Sequence, residues 1–193
     1  CINILLAFLP SVIFGVLLYR IIKDIFFSPI TVAIALLLGG LVILWIEKKD
    51  FKPKIFCIDD MKPLDAIKVG MAQCIAMCPG VSRSGATIIG GMFLGLSRPA
   101  ATQFSFFLAI PTMLGATVYD VYKNWDFFSP KDIDIFVLGF VTAFLAALAT
   151  VKMLVSFVSK HSFVIFGWYR IIAGTFLLLF WQLGYFDQME LWQ

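Results

Sequence analysis

Residues 79–87, Pro79-Gly80-Val81-Ser82-Arg83-Ser84-Gly85-Ala86-Thr87, put an arginine, three hydroxyls and two glycines inside a stretch that otherwise reads as soluble in lipid. They split the segment 64–96 into two apolar halves, 69–78 and 86–96. Each half is close to the roughly 10–14 residues of a re-entrant segment and too short to cross a hydrocarbon core. Two half-helices meeting at a polar break in the membrane is the economical solution, because irregular backbone at that depth survives only where it lines a protected cavity. Arg83 then occupies the tip. An arginine at membrane depth costs about 3 kcal/mol on insertion scales and marks a functional site.

The rest of the chain supports a membrane setting. Of 193 residues 61% are hydrophobic and 14% charged, against roughly 45–50% and 25% in soluble domains. Apolar runs at 4–19, 29–46, 98–119, 133–157 and 162–185 approach or reach the length of a spanning helix, and strands of alternating polarity are absent. The fold class is therefore all-α, a polytopic membrane protein forming one membrane domain over 1–193. Residues 47–62 form the long polar loop. With 64–96 dipping in and returning, one side carries Lys48, Lys49, Lys52, Lys54, Lys62, Arg98 and Lys160, and the other Arg20, Lys23, Lys123 and Lys131. That bias puts the 47–62 loop in the cytoplasm. Asp120, Asp126, Asp132, Asp134, Asp187 and Glu190 fall on the outer side, and a turn is expected at 124–130. A hairpin crossing fully twice has the same parity, so charge does not separate the two. A net charge of +3 with its basic residues in loops excludes a nucleic-acid binder. Cys1, Cys57, Cys74 and Cys78 lack zinc spacing.

Chemistry concentrates at the break. Pro79 stops the helix that carries Gln73, Gly80 frees the backbone to turn, and Ser82 or Ser84 caps the next helix. Arg83, Thr87, Gly91 and Gly95 then recur every four residues, which puts a glycine strip below the arginine on one face. A phosphate there meets the positive helix end, unbonded N–H groups, a guanidinium fork and hydroxyls. The plainer alternative has Arg83 capping carbonyls of the preceding half-helix while Ser82, Ser84 and Thr87 make helix-end bonds. Arg170, in mid-span, suits helix-end carbonyls better than substrate. Gln73 and Gln103 suit interhelical hydrogen bonds, and no residue set here ligates a metal convincingly.

The run 73–87, followed by Gly90-Gly91-Met92 and Ser105-Phe106-Phe107-Leu108-Ala109-Ile110-Pro111, closely resembles the bacterial undecaprenyl-diphosphate phosphatase family, associated with bacitracin resistance. Asp59-Asp60-Met61 and Tyr169-Arg170 extend the likeness across the chain. The resemblance implies a multi-pass enzyme of the bacterial plasma membrane, built from interlocked inverted repeats. It would hydrolyse undecaprenyl diphosphate to the monophosphate carrier of cell-wall synthesis. Arg83 would be the phosphate ligand with Ser82 and Thr87 in the same pocket; Ser84, Gly80, Gly85 and Gln73 complete the candidate substrate contacts.

The chain departs from that pattern in one respect. The family's glutamate-rich helix and its following serine and histidine find no match, and the chain opens on Cys1, so roughly the first third is expected to be missing and this piece alone inactive. A divalent cation, Mg or Ca, would then be held by glutamates outside this chain. Ser82, lacking a base to activate it, is expected to bind phosphate rather than attack. Membrane lipid is the expected surrounding partner, and a homodimer an open assembly. A polyprenyl-phosphate transporter or flippase with the same anion site is the alternative.

Overall fold

The computed structural model describes residues 2–21, 28–49, 51–125 and 133–183. Cys1, Lys23, Asp24, the turn residues 126–130, Lys131, Asp132, Asp187 and Glu190 lie outside the described residues, as does the side chain of Arg20. The helices are α1 (Ile2–Ile21), α2 (Pro29–Glu47), α3 (Pro63–Cys74), α4 (Arg83–Phe93), α5 (Arg98–Lys123), α6 (Ile133–Lys160) and α7 (Val164–Gln182). Among the described residues the β structure is one isolated bridge, Ile55 with Leu96. The all-α expectation holds. Four helices, α2, α5, α6 and α7, are long and apolar enough to span a bilayer, while the apolar run Ile2–Leu18 of α1 is shorter.

The helices start where their caps dictate. Ser28 accepts from the Thr31 N–H at 3.2 Å with Pro29 opening α2, and Ser97 accepts from Ala100 at 3.4 Å with Pro99 in the first turn of α5. The two half-helices also follow their caps, so their bounds differ from those read off hydropathy. Pro63 opens α3 and Asp65 faces its positive end, so α3 begins six residues before the apolar half does. Ser82 caps α4, whose first residue is Arg83 itself.

Gly95 does not continue the strip below Arg83. The α4 helix stops at Phe93, and Gly95 takes φ +93 just beyond the end. Its N–H donates to Met92 O at 3.0 Å and that of Leu96 to Gly91 O at 3.0 Å, the paired bonds that satisfy the last carbonyls of a helix. The freed Gly95 carbonyl accepts from Lys54 N (2.7 Å) and Ile55 N (3.0 Å), and Ser97 N donates back to Ile55 O at 2.8 Å. The 47–62 loop is therefore tied to the α4–α5 junction, and Phe51, Ile55, Ile58 and Met61 turn into the core.

In the packing, α2 lies along α7, α3 lies on α1, α4 sits between α3 and α5, and α6 rests on α5. The core centres on Ala7, Val69, Ile88, Met92, Phe104 and Leu108. Small residues set the close crossings. A Cβ on Gly40 would come within 2.8 Å of the Gly167 carbonyl, and one on Gly70 would overlap the Ala7 carbonyl. Backbone contact of this kind replaces the hydrophobic drive that lipid removes. A polar latch joins the α2, α5 and α7 ends. Glu47, 7% exposed, pairs with Arg98 at 2.9 Å and accepts from the Phe163 N–H at 3.1 Å, while Arg98 also donates to His161 O at 3.4 Å.

Candidate anion site at the helix break

The break is built from local chain chemistry and then clamped from outside. After α3, one turn of 3₁₀ helix (Ile75–Met77) leads to Cys78, which is extended because the following Pro79 disfavours helical geometry at that position. Gly80 takes φ +87, a left-handed conformation open to glycine. It also lies against α2, where an added Cβ would sit 2.6 Å from the Val32 carbonyl oxygen. The Gly80 carbonyl accepts from Arg170 Nη2 at 2.8 Å, and Ala35 O accepts from the same atom at 3.4 Å. Arg170 reaches there because α2 has Gly39 in its path, where a Cβ would stand 2.5 Å from Nη2. Arg170 thus has structural carbonyl partners, as expected, but one lies in the turn and the other within α2 rather than at a helix end. Carbonyl capping at the break falls to Arg170 and not to Arg83.

Arg83 is held by side chains. Its Nε (3.1 Å) and Nη2 (3.0 Å) both donate to Gln73 Oε1, and Nη2 donates again to Thr112 Oγ1 at 2.8 Å. Gln73 is 4% exposed, and its Nε2 donates to Ser11 Oγ. Ser11, Gln73, Arg83 and Thr112 therefore form one chain of hydrogen bonds through α1, α3, α4 and α5. Gln73, expected among the substrate contacts, stands behind the arginine with both ends of its amide engaged. Nη1 of Arg83 makes no hydrogen bond among the described residues, where the single salt bridge is Glu47–Arg98. Arg83 is a half-buried cation with no acid paired to it among the described residues.

The hydroxyls divide into two groups. Ser82 Oγ accepts from Gly85 N at 3.1 Å and lies 3.2 Å from Ser84 Oγ, and Ser84 is exposed. The N–H groups of Arg83 and Ser84 make no hydrogen bond among the described residues. Thr87 faces the other way. It is 1% exposed, and its Oγ1 lies 3.1 Å from both Arg83 O and Ser84 O and 2.6 Å from Ser105 Oγ. It fastens α4 to α5. Apolar grooves flank the break. Arg83 and Ser84 open on one of about 820 Å³ with Phe106, Ile110 and Val151; Ser82 and Gly85 open on another of about 730 Å³ with Ile34 and Leu38.

Among the described residues no three His, Cys, Asp or Glu side chains cluster as a metal site, so this donor set does not fit a divalent cation. His161 is exposed and stacked on Phe157, ring centroids 4.4 Å apart. Ser11, Thr112 and Ser105 support the site and were not singled out as site residues from sequence. Each is a hydroxyl in an apolar helix, which signals an interhelical bond without telling which helix it meets.

The chain matches the model of the family described as bacitracin resistance protein BacA over residues 1–176. It is 51% identical over 185 residues to a Pseudomonas putida protein named undecaprenyl-diphosphatase, covering 96% of this chain and 67% of that one. A Laribacter hongkongensis protein of the same name is 52% identical over 96% of this chain and 68% of its own length. Undecaprenyl-diphosphatase 2 of Pseudomonas fluorescens is 52% identical over 95% and 66%.

Proposed function

The chain belongs to the bacitracin resistance protein BacA family, and from that membership and the site at the break we infer that it is an undecaprenyl-diphosphate phosphatase of the bacterial plasma membrane. The reaction is hydrolysis of undecaprenyl diphosphate to undecaprenyl phosphate and inorganic phosphate, which returns the lipid carrier to cell-wall synthesis. One observation carries the substrate class: at the start of α4, beside two apolar grooves, Arg83 Nη1 and the N–H groups of Arg83 and Ser84 have no hydrogen-bond partner among the described residues, while Gln73 and Thr112 hold the rest of the guanidinium. Such a terminus suits a phosphate, and the grooves suit a prenyl tail.

Arg83 binds the terminal phosphate, and the N–H groups and hydroxyls of residues 82–84 complete the cradle. Gly80 and Gly85 keep backbone close to it, while Gln73 and Thr87 hold the arginine and its helix. Diphosphate hydrolysis needs in-line attack at the terminal phosphorus and neutralisation of charge on the equatorial oxygens. This chain serves the second need, since donors fixed in advance count for more in a water-poor pocket. Ser82 spends its oxygen on the Gly85 N–H, and no carboxylate or imidazole among the described residues touches it, so it holds phosphate and does not attack. The nucleophile, its base and any Mg or Ca ion belong to residues outside this chain, which covers about two thirds of its relatives. In this arrangement α3 and α4 form a re-entrant pair and the 47–62 loop faces the cytoplasm. Transport of polyprenyl phosphate uses the same arginine, but the relatives are named as hydrolases.

The deciding experiment follows phosphate release from undecaprenyl diphosphate by the purified full-length protein. Release is expected; binding of the lipid without release would favour transport.

A further inference from the structure

We propose that the Thr112 hydroxyl is a stand-in for a phosphate oxygen: it occupies one donor of the outer edge of Arg83 and is displaced when phosphate binds. This rests on the phosphate-binding role given to Arg83 above.

The donor count leads there. A guanidinium has five N–H donors and two edges able to take a pair of oxygens. One edge, Nε with the adjacent Nη2 hydrogen, is closed by Gln73 Oε1 at 3.1 and 3.0 Å. Gln73 is 4% exposed, and its own amide donates to Ser11, so that edge is fixed. The other edge consists of Nη1 and the second Nη2 hydrogen. Nη1 has no partner among the described residues, and the Nη2 hydrogen goes to Thr112 Oγ1 at 2.8 Å. A phosphate gripping Arg83 by two oxygens must use this outer edge and must take the Nη2 hydrogen from Thr112.

Thr112 is built to yield. Its hydroxyl hydrogen is directed to the carbonyls of its own helix, Leu108 O and Ala109 O, so toward the guanidinium it serves as a neutral acceptor. A phosphate oxygen brings a negative charge to the same cationic donor and, with a second oxygen on Nη1, a two-oxygen grip that the neutral hydroxyl cannot offer. The threonine bond still matters before phosphate binds, because a half-buried guanidinium hydrogen without a partner is costly.

The test compares Thr112→Val, which keeps the shape and removes the acceptor, with Thr112→Ser, which keeps the acceptor. Inorganic phosphate binding to the full-length protein is measured by calorimetry, alongside KM and kcat for the lipid diphosphate. Thr112→Val should bind phosphate about fivefold more tightly and lower KM by a similar factor, with Thr112→Ser near wild type. Thr112→Ala, expected to move the same way, guards against a folding defect peculiar to valine. Phosphate affinity that is unchanged or weakened in both Thr112→Val and Thr112→Ala overturns the proposal, weakening meaning that Thr112 is itself a ligand. If wild type binds phosphate but releases none from the lipid, the phosphatase assignment fails while the affinity comparison still decides the role of Thr112.

Discussion

The anion-binding role proposed for Arg83 rests on what it lacks among the described residues as much as on what it touches. A paired arginine would be neutralised by its partner; this one is oriented by an amide and a hydroxyl, and its charge stays available. The fork matters as well as the charge. Arg83→Lys keeps the cation but gives up the edge that Gln73 fixes and the two-oxygen edge beside it. In the full-length protein this variant should lose about a hundredfold in kcat/KM, the scale of removing a donor that works in the transition state. Steady-state phosphate release measures it, and near-normal turnover would refute the fork. Sequence spacing pointed to Arg83 and to Ser82 or Ser84 as the cap of its helix, and the structure selects Ser82. Gln73 and Thr87 were legible as polar residues of the break, but only the packing shows that one backs the arginine and the other turns toward Ser105.

At the scale of elements, the break between α3 and α4 is a designed interruption with three supports. Pro79 ends the helical run, Gly80 makes the turn, and Arg170 takes the carbonyl that the turn leaves over. Gly80→Ala tests the second support. Alanine at φ +87 is strained by roughly 1–3 kcal/mol, and its Cβ would press on the Val32 carbonyl at 2.6 Å. The variant should unfold at clearly lower temperature in detergent and lose activity with it. An unchanged melting temperature would show that α2 can move away from the turn. Pro79 and Gly80 announce the turn in the sequence. The partnership of Arg170 with Gly80 spans ninety positions and depends on Gly39, which no local pattern reveals.

At the scale of the molecule, the helices are held together by small-residue crossings in the middle and by a polar latch at one end. Glu47 is nearly buried and serves both Arg98 and the start of α7. Glu47→Ala leaves Arg98 and an N–H without their acceptor, and should cost about 2 kcal/mol, below the cost of breaking a fully buried pair because Arg98 is 31% exposed. In a double-mutant cycle with Arg98→Ala the two losses should fall short of additivity; strict additivity would deny the pairing. The re-entrant arrangement is tested by impermeant maleimide in whole cells, with the native cysteines replaced by alanine. Cysteine at Lys52 should react from the cytoplasmic face and cysteine at Asn124 from the outer face. Cysteine at Ser84 reacting from outside as fast as at Asn124 would sink the re-entrant pair.

The sequence by itself determined the membrane setting, the helical class, the interrupted segment and the arginine at its centre. These follow from hydropathy, from the backbone limits of proline and glycine, and from the cost of an arginine in lipid, all of which act over a few residues. Tertiary structure decided how the arginine is aimed. Ser11, Gln73, Thr112 and Arg170 come from four helices, and whether each meets Arg83, Gly80 or neither depends on crossings set by glycines at backbone contact. Hydrophobic periodicity cannot encode those distances, because in lipid every face of a helix is apolar and packing is chosen by shape.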